Sequence, residues 1–184
     1  DTATFYSISN CQEGLSRVTL GNFLIKRVVY EIQEELPHIK NFGTLSPIPG
    51  FTDWLRYVEE PKIKNILTSF KNQDVSFLKS QDLKLGDSRI IENKEAIKKL
   101  VAHYIVNEKN QQGLPMNDVT RFHLGNGAIV EDIVINANIS EQGFKRAYGV
   151  MVNYLYELNN IEKNHEDYMN NNKVIVSDKI KKYL

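Results

Sequence analysis

The spacing of hydrophobic and polar positions changes several times along the chain, and each change marks an element. Residues 3–9 (ATFYSIS) are β-branched and aromatic, centred on Phe5 and Tyr6, and predict a first strand. Residues 10–21 are polar and carry Gly14 and Gly21, which predicts a loop. From Asn22 the period becomes helical, with Ile25, Val28, Val29, Ile32 and Leu36 at three- and four-residue spacing. They predict a helix over 22–36. Pro37 closes it, because proline lacks the amide donor and its ring clashes with the preceding turn. Residues 41–45 predict a short second strand. Ser46-Pro47-Ile48-Pro49-Gly50 cannot continue it, since two prolines remove two ladder donors. Asp53-Trp54-Leu55-Arg56 opens a further helix.

Residues 62–100 are rich in Lys, Asn and Asp, with short helices predicted over 62–71 and 93–108. Residues 111–117 (QQGLPMN) read as a loop. Residues 118–135 alternate, with Val119, Arg121 and His123 on one face and Thr120, Phe122 and Leu124 on the other, which predicts a strand. Gly125-Asn126-Gly127 is a turn signal. Residues 149–158 (GVMVNYLYEL) fit a strand or a buried helix, and periodicity does not choose between them. Residues 159–172 carry Glu162, His165 and Glu166 on a polar helix, and 180–184 form a short tail. There is no internal repeat. The order strand, helix, strand, helices, strand, strand predicts an α/β layer with a mixed sheet.

Composition narrows the function. The 184 residues suit one domain, and 41% hydrophobic with 25% charged residues can build a core. Lys plus Arg number 23 and Asp plus Glu number 23. This balance argues against general binding to nucleic acid or an anionic membrane, while a local anion site remains open. No apolar run approaches the ~20 residues of a membrane span. The single cysteine, Cys11, permits no intrachain disulfide, and a reducing compartment is expected. The chain opens on Asp1 with no signal peptide and begins a strand pattern at once. A fragment or processed product lacking an N-terminal part is the expectation.

Three places could carry chemistry. The loop over 12–22 feeds a helix N-terminus, whose free N–H groups bind phosphates. Lys26 and Arg27 sit in the first helical turns, where cations oppose the helix dipole at ~0.3–1 kcal/mol each. A bound anion would reverse that sign. The alternative is a plain connecting loop with a solvated Lys-Arg pair, because the pattern is neither a Walker loop nor GxGxxG. Ser46 ends a strand before Pro-x-Pro-Gly and would face the carboxyl edge of the sheet, or would simply form the turn. His123 shares a strand face with Arg121 and could act as a proton donor, or be a satisfied core histidine. His38, His103 and His165 are weaker candidates. Glu162, His165 and Glu166 have metal-ligand types but no paired His or Cys, so a solvated helix face is preferred. Cys11 reads as structural, and Tyr154 and Tyr156 as core or pocket lining.

Five ordered blocks, FYSISNCQEGL, LGNFLIKRVV, TLSPIPGFTDWL, RFHLGNGA and MVNYLYEL…IEKNHEDY, resemble the C-terminal catalytic region of the malonyl-CoA decarboxylase family. The resemblance runs from about residue 4 to 177 and is weak across 62–95. It implies an α/β (α+β) fold: a GNAT-like, acyl-CoA-binding mixed β-sheet flanked by helices and incomplete at its N-terminal side. Residues 1–184 would be the C-terminal part of the catalytic domain, with the N-terminal helical domain and the first strands absent. A sheet without its first strands exposes an edge. By the same resemblance Ser16, Arg17, Val18, Thr19, Leu20, Gly21, Asn22 and Ile25 contact malonyl-CoA, and Ser46 and His123 are the catalytic serine and histidine.

The resemblance implies a carboxy-lyase that converts malonyl-CoA to acetyl-CoA and carbon dioxide in fatty-acid and malonate metabolism. No metal or organic cofactor is expected, and malonyl-CoA is the substrate. The enolate left by decarboxylation needs fixed donors, worth about 2.7–4 kcal/mol each. Backbone amides near Ser7 to Asn10 are the candidates. His123 would protonate the carbon and Ser46 would bind the carboxylate, although the family also describes this serine as a proton acceptor. A homo-oligomer, a tetramer by resemblance, is expected, with no nucleic-acid or membrane partner. The compartment would be cytoplasmic in a bacterium, and mitochondrial, peroxisomal or cytosolic in a eukaryote. The alternatives are an acyl-CoA N-acyltransferase and a non-catalytic acyl-CoA-binding protein.

Overall fold

The computed structural model of the chain describes residues 1–6, 21–70, 74–80 and 82–184, with the backbone alone for 21–24. Strand β1 (Thr2–Phe5) leads to helix α1 (Gly21–Glu35) and strand β2 (Asn41–Ser46). Helices α2 (Phe51–Tyr57), α3 (Glu60–Ile66), α4 (Ser88–Glu92), α5 (Lys94–Val106) and α6 (Asp118–Gly125) follow. Then come β3 (Ile129–Val134), α7 (Glu141–Ala147), β4 (Met151–Leu155), α8 (Ile161–Asn171) and α9 (Asp178–Lys181).

The four strands form one mixed sheet in the order β1-β2-β4-β3. β1 and β2 run parallel, joined through α1, whereas β2–β4 and β4–β3 are antiparallel. The mixed sheet flanked by helices agrees with the sequence expectation. α1 places Ile25 and Val29 in the core and leaves Arg27, Tyr30 and Glu31 exposed, as its helical period requires. β2 is covered on both faces, with Phe42, Gly43, Thr44 and Ser46 all buried. α5 inserts Ile97, Leu100, Val101 and Ile105 into the same core at full burial.

Several boundaries differ from the pattern. β1 ends at Phe5, and residues 7–9 of the expected strand lie outside the described residues. α2 begins two residues before Asp53, at Phe51. The helix expected over 62–71 is α3, which starts at Glu60 with Pro61 in its first turn. The ambiguous 149–158 segment forms β4, in which Val152 and Tyr154 are buried and their neighbours half-buried.

The main correction concerns 118–135. Only Ile129–Val134 is a strand, and Asp118–Gly125 is helical. Over eight residues the sequence fits both periods. Capping decides the outcome: Asn117 accepts from the Thr120 N–H, and Asp118 stands in the first turn. The buried residues Thr120, His123 and Leu124 then lie on one helical face. His123 therefore projects from a helix. Gly125-Asn126-Gly127 ends that helix and does not link two strands.

Gly127 takes φ 80° at this corner. A Cβ there would overlap the Ile161 carbonyl oxygen. Gly113 takes φ 76° but has open space around it. Gly113→Ala should therefore cost only the left-handed strain, about 1–2 kcal/mol. Gly127→Ala should cost more than about 3 kcal/mol, because strain and overlap add. Urea unfolding of the two variants beside the parent checks the difference.

Candidate active site

Ser46 is the last residue of β2 and His123 lies on α6, and the fold brings them together across 77 positions of sequence. The Ser46 Oγ lies 2.9 Å from His123 Nε2. The other ring nitrogen, Nδ1, lies 2.8 Å from the Tyr156 hydroxyl. Ser46 Oγ also stands 3.0 Å from Thr44 Oγ1, two residues back on the same face of β2. The Tyr154 ring stacks on the imidazole at a centroid distance of 4.3 Å, and Tyr154 shares a 2.7 Å hydroxyl contact with Thr120. Ser46, His123, Tyr154 and Tyr156 are all buried.

The hydrogen-bond arithmetic permits two arrangements of a neutral imidazole, which carries one proton. In one, Ser46 donates to Thr44, Nε2–H donates to Ser46, and Tyr156 donates to Nδ1. In the other, Ser46 donates to Nε2, and Nδ1–H donates to Tyr156. Both satisfy the two ring nitrogens without creating charge. The contacts thus form a path along which a proton can be handed on.

Burial sets the electrostatics. Desolvation pushes the His123 imidazole down to about 3, so the ring is neutral over the physiological range. The same cause pushes the Tyr154 and Tyr156 hydroxyls well above the ordinary tyrosine range. Ser46 and His123 line a cavity of about 310 Å³ with Phe5, Tyr6, Leu45, Pro47, Val119 and Phe122. It opens where β1 stops pairing at Phe5 and β2 runs on to Ser46. One carboxylate, that of Asp118, also reaches this lining.

The other expected site residues divide. Ser16, Arg17, Val18, Thr19 and Leu20 lie outside the described residues, as does Cys11. Gly21 and Asn22 begin α1, which is the helix N-terminus the loop was expected to feed. Ile25 packs in the hydrophobic core. Lys26 and Arg27 are already paired, with Glu162 of α8 at 3.2 Å and Glu31 at 2.8 Å. Both cations thus have a carboxylate partner. His38 is exposed, and His103 contacts Glu108 at 2.9 Å. His165 donates from Nδ1 to the Gly125 carbonyl at 2.6 Å, so it clamps the end of α6 while Glu162 reaches toward α1. Glu162 and His165 thus serve different partners.

Sequence reasoning missed Tyr156, Thr44, Thr120 and Asn117 as neighbours of the pair. Tyr154 and Tyr156 were legible as one strand face, since residues two apart share a side. The Asn-Asp-x-Thr start of α6 was legible as a capping signal. Nothing local pointed Tyr156 toward His123.

Comparison with known proteins gives the family. The family model described as the malonyl-CoA decarboxylase C-terminal domain matches residues 1–184. The malonyl-CoA decarboxylase, mitochondrial, of Anser anser anser is 35% identical over 201 residues, covering 100% of this chain and 40% of that protein. That of Mus musculus is 35% identical over 196 residues, covering 97% and 40%. The crystal structure of malonyl-CoA decarboxylase from Cupriavidus metallidurans matches with a TM-score of 0.81 at 37% identity, covering 100% of this chain and 48% of that one. The one from Rhodopseudomonas palustris gives 0.78 at 37% identity, covering 99% and 42%. The chain spans about 40% of the length of the curated relatives it matches. It belongs to the malonyl-CoA decarboxylase family, of which it matches the C-terminal domain.

Proposed function

We propose that the protein carrying this chain converts malonyl-CoA to acetyl-CoA and carbon dioxide, with Ser46 and His123 at the reacting centre. The observation that carries this reading is the buried 2.9 Å contact between these two side chains, in an apolar cavity, in a chain of this family. The bond from the α-carbon to the carboxylate breaks, and its electron pair moves into the thioester carbonyl to give an enolate. The enolate then takes one proton on carbon. The thioester is itself the electron sink, so the reading calls for no metal or organic cofactor.

The residues have distinct tasks in this reading. Ser46 donates its hydroxyl proton to the substrate carboxylate, turning away from Thr44. The mostly apolar lining offers few groups to solvate the carboxylate, which strengthens that hydrogen bond. His123 supplies the proton. In the empty site the ring is neutral, but a bound malonyl carboxylate and the enolate that follows are negative charges, which favour the imidazolium. The reaction consumes one proton overall, and the ring returns to its neutral form when the proton has passed to carbon. Tyr156 holds Nδ1 throughout. The backbone amides expected to hold the enolate oxygen, near Ser7 to Asn10, lie outside the described residues.

Acetyl-CoA and carbon dioxide release from malonyl-CoA by the full-length protein tests this reading. The parent should be active, and His123→Asn should lose about 10²–10⁴-fold in kcat. Ser46→Ala should also lose kcat, and neither change should weaken coenzyme A binding by as much. Tight acyl-CoA binding without product from the parent would overturn the reading in favour of a binding protein.

Folding stability should carry the mark of the neutral ring. Below pH 6.5 the unfolded chain protonates His123, while the folded chain does so only near pH 3. The unfolded state therefore binds more protons in that window, and the histidine's contribution falls as pH falls, by about 1.4 kcal/mol per unit. His123→Asn lacks this slope. The stability difference between parent and variant should shift against the parent between pH 7 and pH 5 in urea unfolding, and equal slopes would contradict the buried neutral ring.

A further inference from the structure

The proposed reaction needs two groups from separate elements held at one distance. The antiparallel ladder fixes β2 against β4, with Ser46 opposite Val152. Tyr154 and Tyr156, on and just beyond β4, hold the two sides of the His123 ring. α8 clamps the far end of α6 through His165 and Asn164. These contacts leave open how the first turn of α6 is seated against the turn that leaves Ser46.

Asn117 occupies that junction and is 2% exposed. Its Oδ1 accepts from the Thr120 N–H at 2.8 Å and from Thr120 Oγ1 at 3.1 Å. Its Nδ2 donates to the Pro49 carbonyl at 2.8 Å. Pro49 lies three residues beyond Ser46, in the stiff Pro-x-Pro turn. Tyr104 donates its hydroxyl to the same carbonyl at 3.1 Å, from α5. Thr120 passes the link to Tyr154, and Tyr154 faces Thr44 across the ladder. The circuit therefore closes: Ser46, Pro49, Asn117, Thr120, Tyr154 and back to β2.

We propose that Asn117 is a positioning residue for the Ser46–His123 pair, its side-chain amide tying the turn after β2 to the first turn of α6 and so setting their separation. The chemistry of the amide is what suits it. The position needs an acceptor for the helix and a donor for the Pro49 carbonyl, and one asparagine offers both. An ionised aspartate would cap the helix equally well but has nothing to donate. Asn117→Asp thus separates the cap from the tie. The inference rests on the decarboxylation reading for its kinetic consequence, but not for its geometric one.

The test uses the full-length protein and its Asn117→Asp variant, with thermal unfolding first to establish that the variant folds. Kinetics should show kcat lowered about 10- to 100-fold, the scale of a small misplacement of reacting groups. KM for malonyl-CoA should stay within about twofold, since no binding contact is removed. Crystal structures of both should show the 2.9 Å contact of the parent opened beyond ~3.5 Å in the variant. An unchanged contact overturns the inference, and so does an opened contact with unchanged kcat. If the parent forms no acetyl-CoA, the decarboxylation reading fails by itself, and the crystallographic contact still decides the role of Asn117. If Asn117→Asp does not fold, Asn117→Ser keeps a capping hydroxyl that is too short to reach Pro49, and the same outcomes apply.

Discussion

A buried imidazole has two nitrogens to satisfy and, when neutral, one proton with which to do it. Leaving either nitrogen unpaired in the core would cost about 1–3 kcal/mol, and charging the ring there would cost more. At His123 both nitrogens meet hydroxyls, Ser46 on one side and Tyr156 on the other. Hydroxyls can donate or accept, so they suit either tautomer. The neighbouring geometry follows from bringing two hydroxyls and one ring to a point inside the core. β2 must extend past β1 to deliver Ser46, β4 must present Tyr154 and Tyr156 on one face, and α6 must end in a corner tight enough to return to β3.

That corner explains why α8 matters to a site it does not touch. Its Ile161 carbonyl fills the space beside Gly127. Asn164 donates to the Gly127 carbonyl at 3.3 Å, and His165 donates to the Gly125 carbonyl. A helix C-terminus leaves carbonyls without partners, and here side chains of another helix supply them. Glu162 reaches from the same helix to Lys26 of α1. This ion pair, exposed on its Glu162 side, links α8 to α1 as His165 links it to α6. α6 is thus tied at one end by α8 and at the other by Asn117.

How much of this was legible depended on sequence distance. α1 and β2 were readable because their apolar period and the Pro37 stop are local facts. The strand nature of β4 stayed ambiguous, since an apolar run fits a strand or a buried helix. The helix under His123 is hidden in the sequence because alternation and helical spacing coincide over 118–125, and the deciding cap lies in a single side chain, Asn117. Ser46 and His123 could each be singled out by type and setting. Their contact could not, being 77 residues apart, and neither could the pairing of Lys26 with Glu162, 136 residues apart. What resemblance to a family added was the statement that two weak candidates belong together.

The partner behind the histidine bears on which chemistry the site suits. In a serine hydrolase triad a buried carboxylate faces the ring and stabilises the imidazolium that forms when serine attacks. Here that place is held by Tyr156, whose hydroxyl is pushed above its usual range by burial and so stays uncharged. With a neutral partner and a ring pushed down to about 3, Ser46 has no strong base to take its proton among the described residues. Nucleophilic attack on a thioester is therefore disfavoured in the empty protein. Among the described residues no carboxylate pairs with the ring, so in the proposed reaction the ligand supplies the negative charge beside it. A malonyl thioester brings it and an acetyl thioester does not, so in the proposed reaction the ring holds the proton it must deliver only while substrate or enolate is present. Once the carbon is protonated the anion is gone, the ring is neutral again, and the product thioester sits beside a serine that is not activated to cleave it.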